Sequence, residues 1–282
     1  MRLFYDRRDN AYHERLGSQL LYWLDDLDAA PVDEADPTTE GFLFAGARPI
    51  EDYRELIRDH PLIRDKPAER EPLLRLDSVL RTLEQHGVCV PMPRTWMLPL
   101  DAALPTDLAF PLFVRTAESS WKKGGHLSRV RTVSELEDEA ALLRRSLGWD
   151  AIILARRWLD LAIAGNGRHG PLPQEIRTWV VDGEPLAWSF HYMNIIERPK
   201  GFPPSAIDLA AFRRLAGDVA SVFGSRLVVA DFARGVDGRW WFIEAGPGSC
   251  AGTGHEAVFK AVARRLQGEE PELHGDALGG LL

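Results

Sequence analysis

Cysteine is nearly absent from this chain: of 282 residues only Cys89 and Cys250 are thiols, far apart and without CxxC spacing. That excludes a disulfide framework and a structural zinc site, and makes a reducing cytoplasm the default compartment. No apolar run approaches the ~20 residues that cross a bilayer. The start, Met1-Arg2-Leu3-Phe4-Tyr5-Asp6-Arg7-Arg8, turns charged before a signal core can form, so a membrane is not an expected partner. Positive charge is also short. Lys and Arg total 34 against 42 acidic residues, a formal charge of −8, which counts against a general nucleic-acid binder. The eight histidines are scattered without HExxH-type ligand spacing. Neither an internal repeat nor a low-complexity tract is visible. What remains is the composition of a soluble globular protein, 45% hydrophobic and 27% charged, long enough to bury a substantial core.

The first hundred residues read as a separate unit. Apolar residues from Leu16 to Leu27 recur at helical spacing, residues 31–40 are an acidic, proline-flanked loop, and a leucine stripe from Leu73 to Leu83 predicts one helix over 67–87, closed by Gly87. Residues 88–96 are extended around Pro91 and Pro93. Beyond them, strands are expected at 112–115, near 126–131, at 151–158, 175–182 and 185–193. Thr132-Val133-Ser134-Glu135 is a capping box opening a helix that stops at Gly148. Residues 162–174 read as a polar loop. Helices are expected over 205–224 and 255–267. This is an α+β layout.

The chemistry concentrates late in the chain. Val228-Val229-Ala230-Asp231 and Trp240-Trp241-Phe242-Ile243-Glu244 are apolar runs that each end in a carboxylate, separated by the turn signal Gly235-Val236-Asp237-Gly238. Folding back there places Asp231 and Glu244 on adjacent strands, within reach of one ion. Two hard oxygen donors suit Mg²⁺. The alternative is a pair of polar positions on an ordinary hairpin, but carboxylates after such apolar runs are costly unless paired. Upstream, Phe110-Pro111-Leu112-Phe113-Val114-Arg115 reads as a buried strand ending in a cation, followed by Lys122-Lys123-Gly124-Gly125, a loop able to close over a polyphosphate. Glu175 and Arg177 alternate along a strand and share one face. The bland readings are an edge-strand Arg115 paired to a nearby acid, a solvated lysine turn, and a salt bridge made by Glu175 or Arg177 that is worth little when exposed. Ser249-Cys250 has no assignable base and reads as a loop with a small buried thiol.

The order of these pieces (Phe113-Val114-Arg115, the Lys-Gly loop, Glu175-Ile176-Arg177, Ala230-Asp231-Phe232-Ala233 and Phe242-Ile243-Glu244) resembles the ATP-grasp superfamily over residues 85–265. It is most similar to the divergent branch that includes the cell-division-cycle translation regulators and uncharacterised bacterial and phage proteins. The resemblance implies an ATP-grasp fold, two α+β subdomains clasping the nucleotide, preceded by a smaller N-terminal α/β unit. The implied division is 1–100 (N-terminal pre-ATP-grasp-like domain), 101–158 (small subdomain with the phosphate loop) and 159–282 (large subdomain with the metal site). It implies ATP and Mg²⁺ as cofactors, with Asp231 and Glu244 as metal ligands. Arg115 and either Lys122 or Lys123 would bind phosphates, and Arg177 would stabilise the transferring γ-phosphoryl group. Glu175 would accept from the ribose hydroxyls, and the Leu154–Trp158 connector, with Arg156 and Trp158, would meet the adenine. One departure stands out. Where the family usually carries an Asn two residues after the Glu, this chain has Gly246, which leaves a second metal site open.

The implied activity is an ATP- and Mg²⁺-dependent carboxylate–amine (or related nucleophile) ligase working through an acylphosphate on a peptide, protein or amino-acid-like substrate. Its pocket would be shaped by the N-terminal unit and the 194–204 loop. The rival is a nucleotide-binding assembly or chaperone-type partner with little turnover; a kinase or nucleotidyltransferase is a third reading.

Overall fold

The computed structural model describes all residues except 9–23, 25–26, 47, 99, 101–102, 119–128, 149, 168–169, 192–202, 253–254 and 277. The helix expected over 16–27 therefore lies almost wholly outside the described residues. Near the N-terminus Arg2–Tyr5 (β1), Ala30–Pro31 (β2), Gly41–Phe44 (β3) and Ile63–Arg64 (β4) form a parallel sheet in the order β2-β1-β3-β4, with a helix, Ile50–Leu56 (α1), between β3 and β4. The single helix expected over 67–87 is broken. Pro67–Arg70 (α2) passes into a 3₁₀ turn at Glu71–Leu73, Arg75 is extended (φ −135°, ψ 132°), and helix resumes only at Leu76–Gln85 (α3). Pro72 has no N–H to give to a continuing helix and its ring crowds the preceding turn. The break lets the Leu76 N–H donate to the Ala117 carbonyl, just past the strand that carries Arg115.

A second sheet is antiparallel. It consists of Thr95–Leu98 (β5), Leu112–Thr116 (β6), Arg129–Val130 (β7) and Ile153–Arg157 (β8) in the order β5-β8-β6-β7. Helix Val133–Leu147 (α4) packs Leu136, Ala140 and Leu143 onto Leu112, Val114, Ile153 and Ala155. Its start is as expected, Thr132 Oγ1 accepting from the Glu135 N–H at 3.2 Å, except that the Glu135 carboxylate reaches one residue further back, to the Arg131 N–H. Gly148 ends the helix at φ +120°.

Residues 162–174 are not a loop. Ile163–Gly167 (β9) and Gly170–Pro173 (β10) pair as a hairpin, with Ala164 buried against Phe190. Glycine and proline hide the alternation there, and both prolines are tolerated because this small sheet has only edge strands. The largest sheet is built from Glu175–Val181 (β11), Glu184–Phe190 (β12), Leu227–Arg234 (β13), Trp240–Pro247 (β14) and Gly279–Leu281 (β15), in the antiparallel order β14-β13-β11-β12-β15. Helix Ala206–Ala220 (α5) together with α3 covers one face: Phe212, Val219, Val79 and Leu83 pack with Ile176, Val180 and Phe232. Helix Glu256–Gln267 (α6) and the N-terminal sheet cover the other, through Phe259, Val262, Phe42 and Phe44 against Trp179 and Val229. Strand alternation puts Glu175, Arg177 and Asp231 on this second face with Trp179 and Val229.

A buried polar node ties the N-terminal sheet to the open end of the β13–β14 hairpin. Asp65, fully buried with φ +68°, accepts from Ser225 Oγ, before β13, and from Ser249 Oγ, after β14, at 3.1 Å. Arg70, also fully buried, lies 3.6 Å from Asp65 and donates to Ser249 Oγ and to the carbonyls of Ala45 and Gly46, with its guanidinium over the Tyr53 ring. Ser249 is thus a structural group rather than a nucleophile. Burial pushes the neighbouring Cys250 thiol up.

Candidate active site

Two β-bulges decide which side chains meet. From the hairpin tip the β13–β14 ladder runs Arg234↔Trp240, Ala233↔Trp241, Phe232↔Phe242; the register then slips by one, and Asp231 pairs with Glu244. An unbroken ladder would put Ile243 opposite Asp231 and turn Glu244 to the other face, since side chains alternate. The extra residue swings both carboxylates to one side. A similar slip occurs between β11 and β12. Val181↔Glu184 and Val180↔Pro185 give way to Trp179↔Ala187 and Ile176↔Phe190, so that the His191 N–H donates to the Glu175 carbonyl at 2.9 Å. Pro185 sits at that bulge, where a missing N–H is tolerated.

The result is a cluster of charge where the small β5–β8 sheet meets the large β11–β15 sheet. Arg177 grips Asp231 with a two-pronged fork, Nε to Oδ1 at 2.9 Å and Nη2 to Oδ2 at 2.7 Å, while its Nη1 donates to the Gly252 carbonyl at 2.7 Å. From the smaller sheet Arg115 Nη1 reaches Glu244 Oε2 at 2.6 Å. Arg156, on β8, donates Nη1 to the Ile243 carbonyl at 2.6 Å and Nε to Thr95 Oγ1 at 3.2 Å. Its Nη2 is buried and has no partner among the described residues. His191 stands between two acids: Nε2 lies 3.8 Å from Glu175 Oε1 and Nδ1 lies 3.9 Å from Asp231 Oδ2. Donor atoms of Glu175, His191 and Asp231 all fall within 4.8 Å of one another.

Electrostatics follow from burial and pairing. Burial alone would raise the Glu244 pKa, but the Arg115 charge and hydrogen bond, with help from Arg177, override it and hold the carboxyl down to about 2. Burial lowers the Arg177 guanidinium, yet the Asp231 fork more than offsets this and leaves it above its ordinary value. Arg156 has no such partner. Burial, and then repulsion from Arg115, press it down to about 9. It is a buried cation whose Nη2 has no hydrogen-bond partner among the described residues, and the Glu244 charge offsets only part of the cost.

Arg115, Arg156, Glu175, Arg177, Asp231 and Glu244 are therefore gathered in one cluster: Asp231 and Glu244 face each other on adjacent strands, whereas Arg156, expected by the adenine, lies beside Arg115 on the Ile243 carbonyl. Arg115 does pair with an acid, but from an interior strand rather than an edge. Arg177 pairs with Asp231 and not with Glu175, and the pair is buried instead of exposed. Trp158 lies past the end of β8 with Arg129 stacked on its ring at 4.5 Å and its Nε1 on Asp160. Lys122, Lys123 and most of the 194–204 loop are outside the described residues. His191 is the group that sequence reasoning missed. Counted back from the Asp182-Gly183 turn without a bulge, it falls on the wrong face.

The fold is that of ATP-grasp proteins. Residues 77–266, about two thirds of the chain, match the family described as ATP-grasp domain, R2K clade family 3, and the chain belongs to that family. Solved structures of the same fold include D-alanine–D-alanine ligase from Bacillus anthracis complexed with ATP (TM-score 0.59, 13% identity, 88% of this chain and 86% of that one). A RimK-domain ATP-grasp protein from Sphaerobacter thermophilus has TM-score 0.59 and 14% identity over 95% of this chain and 100% of that one. L-amino acid ligase from Bacillus licheniformis has TM-score 0.50 and 15% identity over 85% of this chain and 63% of that one. No curated protein sequence matches the chain.

Proposed function

We propose that this chain is an ATP- and Mg²⁺-dependent ligase joining a carboxylate to an amine or a related nucleophile. The observation that carries the reading is Arg156, a buried guanidinium beside Arg115 with an unpartnered nitrogen. Such a group calls for an anionic ligand, and a polyphosphate lying between the sheets supplies one. Arg115, Arg156 and a lysine of the 122–123 pair hold phosphates on this reading, Glu175 accepts from ribose, and Trp158 borders the adenine. Arg177, freed from Asp231, turns to the γ-phosphoryl oxygens. Exchanging arginine–carboxylate pairs for arginine–phosphate pairs leaves Asp231 and Glu244, opposed hard oxygen donors, to hold Mg²⁺, which fits their chemistry. When bound, that ion neutralises charge between the β- and γ-phosphates.

The substrate carboxylate oxygen attacks the γ-phosphorus and ADP leaves; the amine then attacks the acyl carbon and phosphate leaves. The chain supplies alignment and fixed positive charge where negative charge develops. Two of the structural relatives are named for joining amino acids, which supports an amino-acid-like or peptide carboxylate. The division into 1–100, 101–158 and 159–282 is the matching domain proposal.

Gly246 favours the second reading, a nucleotide-binding partner with little turnover. A Cβ added there would meet, among the described residues, nothing nearer than the Leu73 carbonyl oxygen at 3.9 Å, so their packing does not forbid a ligand-bearing side chain, yet none is present. The test is calorimetric ATP titration with Mg²⁺ on the wild type and on an Asp231→Asn/Glu244→Gln variant, followed by product analysis. Binding that collapses in the variant, with ADP and phosphate formed when substrate is supplied, is expected of the ligase. Full ATP turnover by the variant would sink the metal assignment. Binding with no turnover on any carboxylate would favour the partner-protein reading.

A further inference from the structure

We infer that His191 is a ligand of the cation at this site, giving it one nitrogen donor and a preference for Mn²⁺ over Mg²⁺. The inference rests on the nucleotide-and-cation reading above and deepens it. Three features carry it. First, the 3.9 Å between His191 Nδ1 and Asp231 Oδ2 is too long for a hydrogen bond. An ion midway between them would lie about 2 Å from each, the distance at which imidazole and carboxylate bind such metals. Second, the other ring nitrogen faces an acid: Nε2 is 3.8 Å from Glu175 Oε1, also beyond hydrogen-bond range, so a small turn of the ring is needed to close that pair. A carboxylate on one ring nitrogen and a metal on the other is the arrangement that fixes tautomer and ring orientation at histidine-ligated centres. Glu175 is then a positioning residue for His191. Third, Gly246 adds no donor on the β14 side, whereas the bulge in β11–β12 delivers His191 from the opposite side of the sheet.

The fork from Arg177 to Asp231 is the one that the nucleotide releases on the reading above, and each carboxylate oxygen has a second lone pair besides. Arg115, Arg156 and Arg177 are matched in number by Glu175, Asp231 and Glu244. A bare divalent ion would therefore unbalance the crevice, and the ion enters with the nucleotide anion. Mn²⁺ prefers oxygen but accepts an imidazole nitrogen beside carboxylates, as Co²⁺ and Zn²⁺ do more strongly, while Mg²⁺ keeps to oxygen.

The experiment uses Mn²⁺ with a non-hydrolysable ATP analogue, read by pulsed electron paramagnetic resonance, in which an imidazole nitrogen bound to Mn²⁺ modulates the echo. The wild type is expected to show that modulation and to hold Mn²⁺ at least ~10-fold more tightly than Mg²⁺ in the analogue complex. His191→Ala should lose the nitrogen signal and most of the preference. Glu175→Gln should keep the signal and bind Mn²⁺ about 10–100-fold more weakly. Mn²⁺ bound with the analogue in the wild type but with no nitrogen modulation, or a signal that survives His191→Ala, would overturn the inference while leaving the ligase reading intact. Absence of any nucleotide binding in a separate ATP·Mg²⁺ titration would overturn both.

Discussion

Arg156 offers a sharp test, because a residue kept for a ligand and a residue kept for the fold respond oppositely to its removal. Replacing it by Met deletes hydrogen bonds to the Ile243 carbonyl and Thr95 Oγ1, each worth about 1.5–3 kcal/mol for a charged donor. It also removes a buried cation whose desolvation costs several kcal/mol, whose Nη2 is unsatisfied at about 1–3 kcal/mol, and which is repelled by Arg115. Thr95 keeps its bond to the Pro93 carbonyl, and Met fills much of the vacated volume. Gains and losses nearly cancel, so unfolding free energy should change by no more than about 1 kcal/mol. ATP affinity behaves differently. Losing a charge-assisted bond to phosphate costs about 1.5–3 kcal/mol, or roughly 10–150-fold in Kd. Urea denaturation and ATP·Mg²⁺ calorimetry on the same preparations separate the two. A variant destabilised by more than ~3 kcal/mol that still binds ATP like the wild type would refute the reasoning and make Arg156 a structural residue.

Two further outcomes follow from buried charge. Glu244 has its pKa lowered from an ordinary 4.5 to about 2 by its arginine neighbours. A carboxyl lowered on folding contributes stability in full above the unfolded value and loses it as pH falls from about 4.5 toward 2, by about 3 kcal/mol in all. Thermal melts between about pH 6 and pH 3 should show that slope, and Glu244→Gln should flatten it; parallel slopes in the two proteins would count against the pairing. At the buried node, Asp65→Ala removes the acid that faces Arg70 and should cost about 3–5 kcal/mol, a fall in Tm of about 10 °C for a chain of this size. Adding Arg70→Met should recover much of the loss, and a double variant no more stable than the single one would contradict the node.

Much of this molecule was legible in the linear order of residues. The capping Thr132 and the stop at Gly148 come from local backbone chemistry. So does the Asp182-Gly183 turn, where both residues have positive φ. The carboxylates after apolar runs, and an arginine at the end of a buried strand, mark the site because isolated charge in such places is costly. Local chemistry also explains the failures. Pro72 outvoted a leucine stripe that continued past it, and glycine and proline disguised a hairpin at 163–173 as a loop.

What only the tertiary structure decided is which charges face one another. Side-chain direction in a strand has a period of two, so one inserted residue reverses everything beyond it. The bulge beside Asp231 brings Glu244 to its side, and the slip at Trp179–Val180 brings His191 to Glu175. The pairing of Arg115 with Glu244 spans 129 residues and two sheets, and the orphaned nitrogen of Arg156 exists only because those sheets close over it. Residue type and order determined that this is an ATP-grasp chain with acids and arginines at its crevice. Long-range packing, which no local signal encodes, determined that the carboxylates are held by arginines and that Arg156 Nη2 has no hydrogen-bond partner among the described residues.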